Sequence, residues 1–349
     1  MTGGAEGLPF LTPRFPFGRG GVGQPEDTMK ENKYDDPTFF GKYSRMPRSK
    51  EGLAAAGLSQ LIISGGEPLL REDLPDIVEH AKRACGIASV TVLSNGTRMT
   101  EEALERLAPN VDCVSVSFDG CSAAAPAYIR SEQRFDELVE AVRMVQRAGI
   151  PAHIIPTVHA KNVDDLASYV QLSRDLGASL NFSLLTCEPD DEVLGGLLPG
   201  ADELRMLGRA LLTLDNGKPL PAMDAPVGVN LTVKRNCGAG CKSLSVDADG
   251  TIYPCHMLHR PELAMGNAFT GAVLDALQTD VSRTFQTLDA EKFEDCGACR
   301  YLRICGGGCR ARSLFESGNL ESKDSYCLMT QEFYDVLGKA MSESLQQRR

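Results

Sequence analysis

The chain has 349 residues, 42% of them hydrophobic, a length and composition that suit two soluble domains with sizeable cores. Its 36 Lys and Arg are outnumbered by 47 Asp and Glu, for a formal charge of −11, and it contains no Trp, which argues against a nucleic-acid partner. No run approaches the ~18 apolar residues of a membrane span and no signal peptide opens the chain, so a cytoplasmic location away from membranes is expected.

Residues 1–28 are rich in Gly and Pro and have no hydrophobic period. The Gly18-to-Gly23 run lacks both the preceding strand and the following Lys-Ser/Thr that a phosphate-binding loop needs. Residues 32–57, NKYDDPTFFGKYSRMPRSKEGLAAAG, resemble the opening of class I S-adenosylmethionine-dependent methyltransferases, without the glycine-rich cofactor loop found there. Residues 1–57 are thus expected to form an irregular tail carrying a methyltransferase-like segment.

From Leu58 a strand-helix alternation sets in. LSQLIISG reads as a buried strand, and Leu74, Ile77, Val78 and Ala81 mark a helix face. ASVTVLSNG is a second strand, after which Thr100 is placed to cap the helix TEEALERLA. CVSVSFDG is a third strand, leading to a helix with Phe135, Leu138, Val139, Val142 and Val145 inward and Gly149 as its left-handed stop. PAHIIPTV, a helix over 163–176 and LNFSLLT bring the strands to five. This alternation predicts a parallel sheet, whose active sites gather at the C-terminal strand ends.

Polar residues stand at those ends: Gly65, Gly66 and Glu67 after the first strand, Ser94 and Asn95 after the second, and Ser117, Phe118 and Asp119 after the third. Each group alone is ordinary turn chemistry, but three at one rim favour a ligand site. A helix near ADELRMLGRALLTL follows, and the Pro-rich GKPLPAMDAPVG reads as a linker. The expected division is 58–215 for the α/β unit and 216–349 for a second unit.

That second unit carries eight of the twelve cysteines. They run as Cys237, Cys241 and Cys255, then Cys296-x2-Cys299-x5-Cys305-x3-Cys309, then Cys327. In a reducing compartment such thiols are metal ligands more readily than disulfides, and zinc or an iron-sulfur unit is the choice. Only Cys296-x2-Cys299 has the form of a zinc knuckle, and the remaining loops are longer and Gly-rich, as a bulky cluster requires. Cys85 and Cys113 read as small core residues, while Cys121 and Cys187 lie near the rim. His80 and His259 read as surface, and His153 and His159 flank the fourth strand without an evident partner.

The cysteine spacing resembles the SPASM extension of radical S-adenosylmethionine enzymes, and residues 58–215 resemble the partial barrel of that superfamily. The resemblance, over about residues 58–335, implies an incomplete parallel (β/α) barrel followed by a small cysteine-rich domain with two auxiliary four-iron four-sulfur clusters. It implies one cluster on Cys296, Cys299, Cys305 and Cys327, and another on Cys237, Cys255 and Cys309 with Cys241 as fourth ligand. It further implies that Gly65, Gly66 and Glu67 meet the methionyl amino group of S-adenosylmethionine, and that Ser94, Asn95, Ser117 and Arg130 contact its ribose and carboxylate.

Relatives cleave that cofactor at an open iron held by a Cys-x3-Cys-x2-Cys loop. Here no cysteine precedes Cys85 and no three cysteines have that spacing. The expectation is a peptide- or protein-modifying oxidoreductase of the ribosomal-peptide-maturing kind that does not start radical chemistry alone: the first cluster comes from another chain, such as an intact homologue, or the N-terminus of the gene is mis-called. The alternatives are a non-catalytic iron-sulfur electron-transfer or peptide-binding partner, and a sulfatase-maturing type of enzyme whose N-terminus is wrongly assigned. In the sulfatase branch an acid follows the cysteine equivalent to Cys255, whereas His256 stands here as a candidate proton donor. Leader recognition is expected from a separate protein.

Overall fold

The computed structural model describes residues 57–129, 134–211, 234, 236–271 and 273–347. The methyltransferase-like segment, the Pro-rich linker and Arg130 lie outside the described residues.

The α/β unit is built on six parallel strands: β1 (Gln60–Ile63), β2 (Ser89–Ser94), β3 (Cys113–Phe118), β4 (Ala152–Val158), β5 (Ser179–Leu180) and β6 (Ser183–Leu184). They are ordered β1-β2-β3-β4-β5, with β6 also pairing β4. Leu61 lies opposite Val90, Val92 opposite Val114, and Val116 opposite Ile154, so apolar side chains stack in register across the sheet. The expected fifth strand, LNFSLLT, divides: Asn181 donates its N–H to Ile154 O (3.1 Å), and pairing resumes two residues later as Ser183 aligns with Thr157. Among the described residues no strand joins β1 to β5 or β6, and the strands form one parallel α/β sheet of the expected class.

Helices cover the sheet where the 3.6-residue pattern predicts them. The helix α1 (Leu74–Glu79) runs into one π turn over His80–Ala84. In α2 (Glu101–Leu107) the Thr100 hydroxyl accepts the Ala103 N–H (3.2 Å), the cap that the sequence signals. The helix α3 (Phe135–Arg147) buries Leu138, Ala141, Val142 and Val145, and Gly149 follows its end at φ +75°. A 3-10 turn at Val163–Asp165 opens α4 (Leu166–Leu176), which Gly177 ends in left-handed geometry.

The cysteine-rich segment has little regular structure. An antiparallel pair, β7 (Ser245–Val246) with β8 (Ile252–Tyr253), turns at Gly250. The helices α6 (Asp280–Thr287) and α7 (Arg310–Ser317) flank the cysteine turns. The last helix, α8 (Cys327–Gln347), leaves that segment: Met329, Phe333 and Tyr334 join the barrel core beside Leu204 and Leu207 of α5 (Ala201–Ala210).

Candidate functional site

All six strands are parallel, so their C-terminal ends share one rim. Glu67 is the strut of that rim. Its carboxylate is 6% exposed and accepts the Ser94 hydroxyl (2.8 Å) and the Asn95 N–H (2.8 Å), binding the exit of β1 to the exit of β2. It also accepts the Leu69 N–H (3.2 Å). The residues expected as separate contacts, Glu67, Ser94 and Asn95, thus form one bonded unit. Gly65 precedes it at φ +139°, a conformation that needs glycine. Asn95 folds its own amide oxygen onto the Thr97 N–H (2.9 Å), and Gly96 leaves no room for a side chain because a Cβ would sit 2.7 Å from Leu138 Cδ2. Ser117 is half-buried at the end of β3, two residues before Asp119, whose carboxylate accepts the Ile129 N–H (3.0 Å).

The fourth strand adds a residue without a sequence signal. His159 is fully buried; its Nδ1 accepts the Lys161 N–H (3.2 Å), and its ring meets Tyr128 edge-on at 5.2 Å. Its Nε2 is buried without a hydrogen-bond partner. Burial pulls its pKa down, against the opposing pull of the Asp119 and Asp165 carboxylates. His153 does have a partner, with its Nδ1 2.7 Å from Ser179 Oγ on the neighbouring strand.

The thiols of the C-terminal segment form two neighbourhoods. In the first, Cys299 N–H donates to Cys296 O (2.9 Å), Leu302 N–H to Cys299 O (3.1 Å) and Cys305 N–H to Tyr301 O (2.8 Å), so three cysteines share one set of tight turns. Tyr301 lies 5.5 Å from Tyr334 of α8, and its hydroxyl bonds to Asp335, which holds these turns against the helix that begins with Cys327. Burial, and then the carboxylate of Asp324, pushes the Cys305 thiol up to about 11. Burial likewise pushes Cys327 up to about 11, and Cys305, Cys296 and Cys299 add to the effect as close like-charged neighbours.

The second neighbourhood forms around the Cys305-to-Cys309 loop. Gly306, Gly307 and Gly308 all have left-handed φ (+68°, +84° and +79°), a run that would cost other residues ~1–2 kcal/mol each. Lys234 N–H donates to Arg303 O (2.7 Å), which sets Lys234 against the start of this loop. Gly240 N–H donates to Pro254 O (2.9 Å), which brings the Cys237-to-Cys241 turn beside Cys255. Asp324 fixes the other end by accepting the Cys309 N–H (2.8 Å) while Arg312 grips its two oxygens at 2.7 Å each. Burial pulls the Asp324 carboxyl up, but Arg312 and the bonded amides outweigh it and hold it below the usual range. Cys241 turns its Sγ toward Gly238 O (3.4 Å) within its own turn. His256 is exposed, with its Nδ1 3.6 Å from Cys255 Sγ.

Among the described residues no three His, Cys, Asp or Glu side chains are arranged to grip a single metal ion. The consecutive left-handed glycines between Cys305 and Cys309 leave the room beside the thiols that a bulky iron-sulfur unit needs.

Residues 48–172 match the model of the radical SAM superfamily, and residues 237–300 match SPASM, an iron-sulfur cluster-binding domain. A mycofactocin maturase, MftC, of Mycolicibacterium smegmatis is 30% identical over 282 residues, spanning 76% of this chain and 69% of that protein. The chain belongs to the radical SAM/SPASM family. Membership implies four-iron four-sulfur clusters and S-adenosylmethionine binding. A PqqA peptide cyclase of Streptomyces rochei is 28% identical over 295 residues, covering 78% of this radical SAM chain and 76% of that protein.

Among solved structures, native anSMEcpe with bound AdoMet and Kp18Cys peptide superposes with a TM-score of 0.69 at 16% identity, covering 86% of this chain and 90% of that one. Streptococcus suis SuiB bound to precursor peptide SuiA gives 0.62 at 18% identity, covering 81% and 69%. Both support the shared radical SAM fold. No described helix is long and apolar enough to cross a membrane.

Proposed function

We propose that this chain is a peptide-modifying radical SAM/SPASM protein whose two thiol neighbourhoods hold two auxiliary four-iron four-sulfur clusters. The gathering of Cys296, Cys299 and Cys305 on turns braced against the start of α8 carries this reading. On it, Cys327 completes the first set, and Cys237, Cys255 and Cys309 with Cys241 form the second. The clusters supply electron-accepting capacity when bound; the chain's own part is to hold thiolates on tight turns, from buried Cys296 to exposed Cys237, and to present a substrate at the strand-end rim. At that rim Gly65, Gly66 and the Glu67–Ser94–Asn95 unit, with Ser117, are the proposed seat of S-adenosylmethionine. The substrate is a ribosomal peptide, a reading supported by the names of the maturase and cyclase relatives. His256, exposed beside Cys255, is the proposed proton carrier for that substrate.

The 349 residues contain no Cys-x3-Cys-x2-Cys run. We infer that the cofactor-cleaving cluster is held outside these 349 residues, on another chain or on further sequence of this protein, and predict that these residues alone release no 5′-deoxyadenosine. The test is anaerobic incubation of the reconstituted chain with S-adenosylmethionine and dithionite, with and without an intact homologue and a candidate precursor peptide. Product formed by these residues alone would refute the dependence on a cluster held outside them. A chain that binds neither the cofactor nor the peptide would leave an electron-transfer role instead.

A further inference from the structure

Arg310 is the largest fully buried side chain among the described residues, 1% exposed in the middle of the cysteine-rich segment. One terminal nitrogen of its guanidinium donates to Leu320 O (2.5 Å) and Ser322 O (2.9 Å), and the other donates to Gly307 O. The plane lies over the Phe293 ring, 4.8 Å from its centroid, and Phe293 O in turn accepts the Cys296 N–H (3.0 Å). These contacts wedge the cation between the Cys305-to-Cys309 loop and the turn that begins at Cys296. Its Nε is buried and has no hydrogen-bond partner.

A buried charge without a counter-charge costs several kcal/mol. The nearest carboxylate, Asp324, is already gripped at both oxygens by Arg312. The remaining negative neighbours of Arg310 are the sulfurs of Cys237, Cys296 and Cys309. Those sulfurs carry charge when they are thiolate ligands of a cluster.

We propose that Arg310 is the counter-ion and Nε–H donor of the iron-sulfur unit held on the Cys237/Cys309 side, and that it raises the reduction potential of that unit. The inference rests on the reading that the thiols hold clusters. Reduction adds one electron to a centre already made anionic by its thiolates, and a fixed cation nearby stabilises the reduced form more than the oxidised one. Arg310 is therefore a positioning residue that sets how readily the unit takes an electron.

The experiment uses the full chain, reconstituted anaerobically with iron and sulfide, as parent, Arg310→Lys and Arg310→Gln. Iron and sulfide are counted, and reduction is followed by EPR during a mediated dithionite titration. The expected result is parent-level iron in Arg310→Gln with the one-electron equilibrium moved at least tenfold toward the oxidised form, about 59 mV lower. Arg310→Lys, which keeps the charge, shifts less. Full iron with an unchanged potential in Arg310→Gln overturns the proposal. If that variant takes up no iron, the parent labelled with 15N-arginine decides: a weak 15N coupling to the reduced unit is expected, and its absence overturns the assignment. A parent that binds no iron refutes the cluster reading itself, which is a separate and visible outcome.

Discussion

His159 shows how a single side chain can report on the rim. Its ring is buried with Nδ1 already accepting a backbone N–H, so the neutral form carrying its proton on Nε2 suits the site. The unfolded chain takes up a second proton near the ordinary histidine value of about 6.5, whereas burial lowers the folded value despite Asp119 and Asp165. In the window below about 6.5 the unfolded state therefore binds more protons than the folded one. The stability contributed by neutral His159 is present above that value and is lost as pH falls through the lowered folded pKa. His159→Gln is expected to cost about 1 kcal/mol at pH 7.5 through imperfect packing, and to flatten the decline in stability between pH 6.5 and 5. Urea unfolding of both proteins at several pH values checks this; equal decline in parent and variant would show that His159 does not titrate in that window. Nothing local to residues 152–159 announces the role. The partners that matter, Tyr128 and Asp119, come from the exit of another strand and are brought near by the sheet.

Among the elements, the crossing of α5 and α8 fixes the end of the cysteine-rich segment to the barrel. Gly208 lies at the contact: a Cβ there would press into Met329 O and sit 2.8 Å from Glu332 Cβ. Two effects oppose each other in Gly208→Ala. Helix propensity favours alanine by about 1 kcal/mol, whereas overpacking against backbone costs ~1–3 kcal/mol. Because the obstructing atom is a backbone oxygen, packing wins, and the variant should lose stability by about 1–2 kcal/mol in urea unfolding. A more stable variant would mean that the helices do not pack this closely. The ion pair of Arg209 with Glu332 (3.2 Å) lies on the surface of the same crossing and adds little. Much of this level was legible in the sequence, because period, caps and left-handed glycines are local signals: Thr100, Gly149 and the buried face of α3 all stand where the pattern puts them. The division of LNFSLLT was not legible, since the apolar-polar alternation of Leu180 to Leu184 gives no sign that pairing pauses between Asn181 and Ser183. Nor was the crossing, because a lone glycine in a helix pattern reads as a weak helix residue until its neighbour is known.

Across the whole molecule, the rim and the thiol neighbourhoods are tied together by specific contacts. Tyr326 Oη donates to Leu185 O just past β6 (2.7 Å), Arg312 stacks over the Tyr326 ring at 4.7 Å, and Arg312 holds Asp324, which holds Cys309. On the other side Arg260 pairs with Glu188 and stacks over Phe315 of α7 at 5.1 Å. A parallel barrel end is thereby joined to a segment with little secondary structure, which bound clusters would brace from within. The cysteine spacing marked the segment as a thiol-ligand region before any fold was known, but it could not reveal Arg310 or Asp324, whose significance lies in burial and in what they touch. If the sets are independent sites, removing a ligand from one should spare the other. Cys299→Ala, in the set braced on α8, and Cys237→Ala, in the loop that lies along Cys305-to-Cys309, should each retain about half of the iron of the parent after anaerobic reconstitution. Their reduced EPR spectra should differ, because each retains a different unit. Cys85→Ala, half-buried after α1 and remote in sequence from both sets, should match the parent within error. Equal spectra from Cys299→Ala and Cys237→Ala would show that the eight thiols serve one centre. A loss of iron in Cys85→Ala would show that the ligand sets have been drawn wrongly.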